Sequence, residues 1–285
     1  MRLKKNINNI ESKRREISMI KEPLITRPLF SEKVWGNRKL NDVFDKGNEN
    51  SIGEVWLYSD VKNRETELIG MSTGKIYGYP SEIFPGIPLL LKLLGTSSWL
   101  SVQVHPDDEF ARKVENQKWG KTECWYFIEN NGKIKISNDN EGVKKALEDN
   151  NWEDVLEDYE MNKFDSVFLP AGTVHTLGPN SFLLEIQQSS DMTYRLYDWG
   201  RPREIHVEKA KKVMESINTS YSISRETQGI ESKYFSFKKF KDETKKGFGI
   251  YLSLKDFTTI VLPDGIDHNF QGEWIEYKLN KNGWK

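Results

Sequence analysis

Residues 89–105 read LLLKLLGTSSWLSVQVH. Two apolar pieces, each the length of one strand, are separated by Gly95, Ser97 and Ser98, which read as a turn. In the second piece Ser101, Gln103 and His105 alternate with Val102 and Val104. A strand therefore puts the three polar groups on one face and the valines on the other. In the first piece Lys92 interrupts a run of leucines. An amine there costs desolvation unless it meets an anion or snorkels to water.

The same texture extends outward in both directions. Short apolar segments such as GEVWLY (53–58), SVFLPAG (166–172), SFLLEIQQSS (181–190) and TYRLYDWG (193–200) alternate with Gly, Pro, Ser and Asn. In KTECWYFIE (121–129), period two groups Glu123 with Trp125 and Phe127, and Cys124 with Tyr126 and Ile128. After Tyr221 the pattern repeats in YFSFKKF, FGIYLSL, FTTIVL and EWIEYKL. Helical spacing is confined to 107–119, 142–159 and 206–217. Many short strands with few helices point to a mainly β fold, a barrel or a sandwich. The expected division is a basic N-terminal arm over 1–21, a main domain with helical segments over 22–220, and a small, abbreviated β-domain over 221–285.

Composition narrows the chemistry. The 285 residues carry 42 Lys and Arg against 43 Asp and Glu, so the protein is not broadly basic and nucleic acid is not an expected partner. No apolar run approaches the roughly 20 residues of a membrane helix, and the N-terminus lacks a signal-peptide core. A cytoplasmic protein is the default expectation. Cys124 is the one cysteine, which excludes an internal disulfide and a multi-cysteine zinc site. It alternates away from Glu123, and a structural thiol is its simplest reading. There are four histidines. His105 shares its strand face with Gln103, Glu123 lies on another strand, and His175 follows a Pro-x-Gly-x-x-His turn. Together they form a four-ligand set for a divalent cation; zinc suits it, and iron, manganese and cobalt fit the same donor types. His206 and His268 read as exposed or structural.

Four blocks taken in order are more specific than any of these residues alone. SVQVHPDDEFA (101–111), GKTECWYFIE (120–129), FLPAGTVHTLGP (168–179) and LLEIQQSSDMTYRLYDWGR (183–201) resemble type I mannose-6-phosphate isomerases, especially the short bacterial form. The resemblance runs from about Pro28 to about Glu208. It implies a cupin (jelly-roll) barrel with a second, smaller β-domain and one zinc per chain. It implies interconversion of mannose 6-phosphate and fructose 6-phosphate through an enediolate. By the same resemblance Gln103, His105, Glu123 and His175 match the zinc ligands, and Arg195 the catalytic arginine. Glu185 matches a pocket carboxylate that handles protons, and Lys121 a pocket lysine. Lys92 and Ser101 match phosphate-binding positions. Trp35 and Trp125 are candidates for the pocket border. The expected partner is a small sugar phosphate, and the expected assembly a monomer or weak homodimer. The alternatives are a non-catalytic sugar-phosphate-binding cupin and a metal-dependent oxygenase; the Gln/Glu ligand set fits the oxygenase poorly.

Overall fold

The computed structural model describes residues 20–47, 50–217, 219–280 and 283–284. Apart from Ile20 and Lys21, the expected N-terminal arm lies outside them. Backbone proximity groups the described residues into two compact units, one within 29–56 and 89–228, the other within 20–28, 57–88 and 229–284. These units interleave in sequence and do not follow the expected division at 220/221. The reason is strand pairing: Leu24–Arg27 pairs with both Thr259–Leu262 and Glu67–Gly70, so early strands complete a late sheet.

The unit containing 89–228 has two antiparallel sheets. Across the first, the strands run Ser222–Ser224, Ser166–Leu169, Glu123–Phe127, Phe182–Gln188, Leu89–Gly95, Ile52–Ser59 and Leu29–Glu32. Across the second they run Glu157–Met161, Gly132–Ser137, Val174–Leu177, Val102–Val104 and Tyr194–Tyr197. Leu94, Trp125, Phe127, Val167 and Leu183 of the first sheet share one core with Ile134, Ile136, Met161 and Leu177 of the second. The apolar layer therefore lies between the sheets, as a jelly roll requires.

The outer face of the second sheet is covered by helices. Val102, Val104, Val174, Tyr194 and Leu196 pack against Phe110, Val143, Ala146, Ala210, Val213 and Met214. The helices span Asp108–Val114, Asn140–Asp149 and Val207–Ser216. The last two of these differ in how well they match their sequence patterns. The pattern over 206–217 becomes a helix almost throughout. The pattern over 142–159 does not: Asn150 caps that helix in the left-handed conformation, and Glu157–Met161 pairs with Gly132–Ser137 as a strand. Asn tolerates that backbone, and an open sheet edge competes for the residues beyond it.

The other unit carries one eight-stranded antiparallel sheet, from Gly229–Glu231 at one edge to Ile76–Gly78 at the other. Its longest pair, Phe235–Lys246 with Asp267–Leu279, shifts register between Lys241 and Glu243. Phe270, Tyr251, Ile260 and Leu262 form its buried cluster. Among the described residues, no helix is long and apolar enough to cross a membrane.

Candidate functional site

The same alternation that buries the valines aims the polar residues inward. Val102 and Val104 face the helices, so Ser101, Gln103 and His105 face the space between the sheets. Val174 and Tyr194 likewise turn His175 and Arg195 inward. On the first sheet Trp125 and Phe127 face the core, and Glu123 shares their parity. Register aligns these groups in rows. Lys92 lies opposite Glu185, which lies opposite Trp125 on its other side; Gln187 lies opposite Glu123. On the second sheet Gln103 lies between His175 and Arg195.

His105, Glu123 and His175 offer ligand atoms that all lie within 4.8 Å of one another, and all three side chains are buried. Glu123 Oε2 is 3.5 Å from His105 Nε2, and its Oε1 is 3.2 Å from His175 Nε2. The ring hydrogens are fixed from behind. His105 Nδ1 donates to the Met192 carbonyl and His175 Nδ1 to the Thr173 carbonyl, each at 2.9 Å. In neutral imidazoles both Nε2 atoms are then bare lone pairs. Burial, reinforced by the charge of Lys121, pushes His105 down to about 3, so its ring is neutral at physiological pH. The His105 Nε2 lone pair thus faces an anion with no hydrogen between them. His105 Nε2 and both Glu123 oxygens lack a well-formed hydrogen bond, although Lys121 Nζ approaches Oε2 to 2.9 Å. Donors reach this buried cluster only at its rim, from Lys121 and Gln103, and acceptors crowded in this way are costly alone and fit a cation. Gln103 borders it. Its amide nitrogen is 3.3 Å from His175 Nε2, while its Oε1 accepts from Ser101 Oγ at 3.2 Å. Joining the acceptor set takes a half-turn of the amide, which exchanges nitrogen and oxygen.

The remaining candidates surround this cluster in a pocket of about 230 Å³ lined by Ser101, Gln103, Glu123, Trp125, Glu185 and Arg195, among others. Lys121 Nζ is 3.3 Å from Glu185 Oε1, and Lys92 Nζ is 3.7 Å from Glu185 Oε2 and from Asp191 Oδ1. Burial pushes Glu185 up to about 8 against the opposing pull of Lys121 and Lys92, with Glu123 adding to the rise. Burial pulls both lysines down, but the surrounding carboxylates outweigh it and hold them above the usual value. Lys92 does not snorkel: it is buried, and it lies over the Trp56 ring. Arg195 donates through Nη1 to the Glu204 carbonyl, and its Nε has no partner. Asp198 binds Arg201 and Arg203 through side-chain hydrogen bonds. His206 is structural: its Nδ1 accepts from the Arg195 backbone N–H at 3.1 Å. Cys124 is buried, and burial raises its thiol far above the usual value, which leaves it inert.

Four charged pocket residues escape the sequence reading: Lys33, Glu54, Asp191 and Arg203. Glu54 had a legible signal. It sits in Ile52–Ser59, a strand buried on both faces, where a carboxylate needs partners as Lys92 does. Burial would raise Glu54, but Lys92, Lys33 and a hydrogen bond from Trp56 Nε1 hold it at about 2. Outside the pocket lining, Asp108 Oδ1 accepts from Gly120 N at 2.8 Å and from Gln188 Nε2 at 2.9 Å.

No family model matches this chain. Individual relatives do. Mannose-6-phosphate isomerase ManA of Bacillus subtilis is 31% identical, over 90% of this chain and 90% of its own length. A mannose-6-phosphate isomerase of Streptococcus mutans is 33% identical over 68% of each. The crystal structure of the Bacillus subtilis mannose 6-phosphate isomerase matches with a TM-score of 0.74 at 26% identity, over 90% of this chain and 100% of that one. A variant of the Salmonella typhimurium phosphomannose isomerase matches with a TM-score of 0.62 at 12% identity, a likeness of fold alone. The cupin fold is shared with these neighbours. Identity above 30% across nine tenths of two chains of similar length shows that this chain belongs to the mannose-6-phosphate isomerase family.

Proposed function

We propose that this chain is a zinc-dependent aldose–ketose isomerase that interconverts mannose 6-phosphate and fructose 6-phosphate. The observation that carries the reading is the buried, convergent acceptor cluster of His105, His175 and Glu123 beside Lys121, Glu185 and Arg195. His105, Glu123 and His175 would hold the metal, with Gln103 joining after its amide turns. When bound, the metal supplies Lewis-acid polarisation of the sugar carbonyl.

The chain's own residues carry the rest. Glu185 takes the C2 proton of the aldose and returns it to C1 while the O2 hydroxyl proton passes to O1, which makes the ketose; the reverse transfer runs the other way. Lys121, beside both Glu123 and Glu185, keeps the two carboxylates apart in role and orients the proton carrier. Arg195, with a free Nε, donates to the oxygen on which negative charge develops. Lys92 and Ser101 hold substrate oxygens on the two facing walls. The pocket lining brings five cations, Lys33, Lys92, Lys121, Arg195 and Arg203, against four carboxylates, Glu54, Glu123, Glu185 and Asp191. That local excess suits a dianionic sugar phosphate despite the nearly neutral chain. The reading carries with it a cytoplasmic enzyme that acts as a monomer or weak homodimer.

A coupled assay on mannose 6-phosphate, with glucose 6-phosphate and free mannose as comparisons, tests it. Turnover is expected on mannose 6-phosphate. Arg195→Ala should keep its fold and bound zinc and lose about 10²–10³ in kcat. Metal and phosphosugar binding without turnover in the parent protein would refute the isomerase, and a near-parental kcat in Arg195→Ala would refute the role of that arginine.

A further inference from the structure

We propose that Lys33 is a specificity-determining residue that binds the phosphate group of the substrate, with Glu54 as its positioning residue. The proposal rests on the sugar-phosphate reading above. Lys33 lines the same pocket as the acceptor cluster. Its backbone is fixed: Lys33 N donates to the Ser51 carbonyl at 3.2 Å, next to a register shift between Ser31 and Glu32. Its stem is fixed by a close approach. A Cβ on Gly53 would fall 2.6 Å from Lys33 Cβ and Cγ and 2.7 Å from Trp35 Cζ3, so only glycine lets both side chains lie over that strand. Its head is held by one carboxylate: Nζ is 3.3 Å from Glu54 Oε2, the oxygen that also accepts from Trp56 Nε1.

The other cations are spent differently. Lys92 and Lys121 have side chains 2% and 5% exposed, and each is engaged by two carboxylates. Arg203 commits Nε and Nη2 to Asp198. Lys33 is 29% exposed, so its ammonium meets both water and the pocket. A phosphate dianion keeps part of its hydration, and it is best held where a compact point charge still reaches solvent. The carbon end of the sugar is then free to lie toward Glu185 and the acceptor cluster. Rotating Lys33 from Glu54 to the ligand exchanges one ion pair for another, and Glu54 remains paired through Trp56 and Lys92.

The test is Lys33→Gln, which keeps most of the stem and removes the charge, with Lys33→Arg as the charge-retaining control. In zinc-loaded protein, KM for mannose 6-phosphate should rise about tenfold or more while kcat stays within about twofold. Inhibition by inorganic phosphate should weaken by the same factor, bound zinc should not change, and Lys33→Arg should recover most of the loss. Unchanged KM and phosphate inhibition would overturn the proposal, as would a fall in kcat at constant KM. Calorimetric titration with inorganic phosphate separates this outcome from the parent reading. If the parent protein binds phosphate without turning over sugar and Lys33→Gln does not bind it, the isomerase reading fails and the role of Lys33 stands. If both proteins bind phosphate equally, or neither does, the role of Lys33 fails.

Discussion

Gly120→Ala is a one-methyl perturbation whose effect on the site follows from distances. Gly120 ends the connection between the helix Asp108–Val114 and the strand that carries Glu123. Its backbone passes against the segment that follows His105. A Cβ at 120 would lie 2.3 Å from Asp107 C, 2.5 Å from the Pro106 carbonyl oxygen and 2.7 Å from Asp107 Cα, whereas ordinary contact begins near 3.4 Å. All three atoms are backbone, so no side chain can swing aside. The two segments must part by about 1 Å, against the hydrogen bonds from Lys121 N to Pro106 O and from Gly120 N to Asp108 Oδ1, both 2.8 Å. Parting them moves Lys121 and Glu123 away from His105. Overpacking of this kind costs about 1–3 kcal/mol. Metal sites tolerate only about 0.2 Å in ligand distance, and about 1 Å of misplacement costs about 10² in rate. The variant should therefore show weaker zinc retention after dialysis, a kcat/KM lower by about 10² at saturating zinc, and a lower urea midpoint. Parental stability together with parental zinc retention would refute the close approach on which the reasoning depends.

Two further substitutions test the scaffold. Glu22 accepts from Ser72 Oγ and N, Thr73 Oγ1 and N, and Tyr77 OH; the Ser72 and Thr73 hydroxyls hold it at about 2, below the usual 4.5. Because the folded value is the lower one, its contribution is complete above the usual value and disappears as pH falls toward 2. Glu22→Gln should melt below the parent at neutral pH and converge with it in acid, and a gap that persists unchanged to pH 2 would contradict this. Asp198→Asn removes the buried charge that holds Arg201 at 2.7 Å and Arg203 at 2.5 Å; denaturant titration should show a loss of about 2 kcal/mol, reduced from a fully buried pair by the partial exposure of both arginines, and no measurable loss would contradict the assignment.

Local periodicity carried the site further than it carried the architecture. Period two on single strands was enough to turn Gln103, His105, Glu123 and Lys121 inward, because the valines and aromatics between them needed the other face or the core. The interleaving of the two units was not legible. Pairing of Leu24–Arg27 with Thr259–Leu262 joins residues more than 200 positions apart, and no pattern within either strand specifies its partner. The segment 150–159 misled because its apolar residues satisfy helical spacing, whereas a single left-handed Asn150 ends the helix. Lys33 and Arg203 lie in short charged stretches with no apolar alternation around them to mark them; only the folded chain brings them to the pocket. Glu54 was recoverable by the logic applied to Lys92, a charge inside an otherwise apolar strand.

On the reading proposed above, the buried acceptor cluster of His105, Glu123 and His175 holds a metal ion on which isomerisation depends. The most direct test of that claim is to strip the protein with a chelator, verify metal loss by elemental analysis, and assay mannose 6-phosphate isomerisation before and after zinc is returned. Activity should vanish with the metal and recover as one zinc per chain is restored. Unchanged activity in verified metal-free protein would contradict the claim.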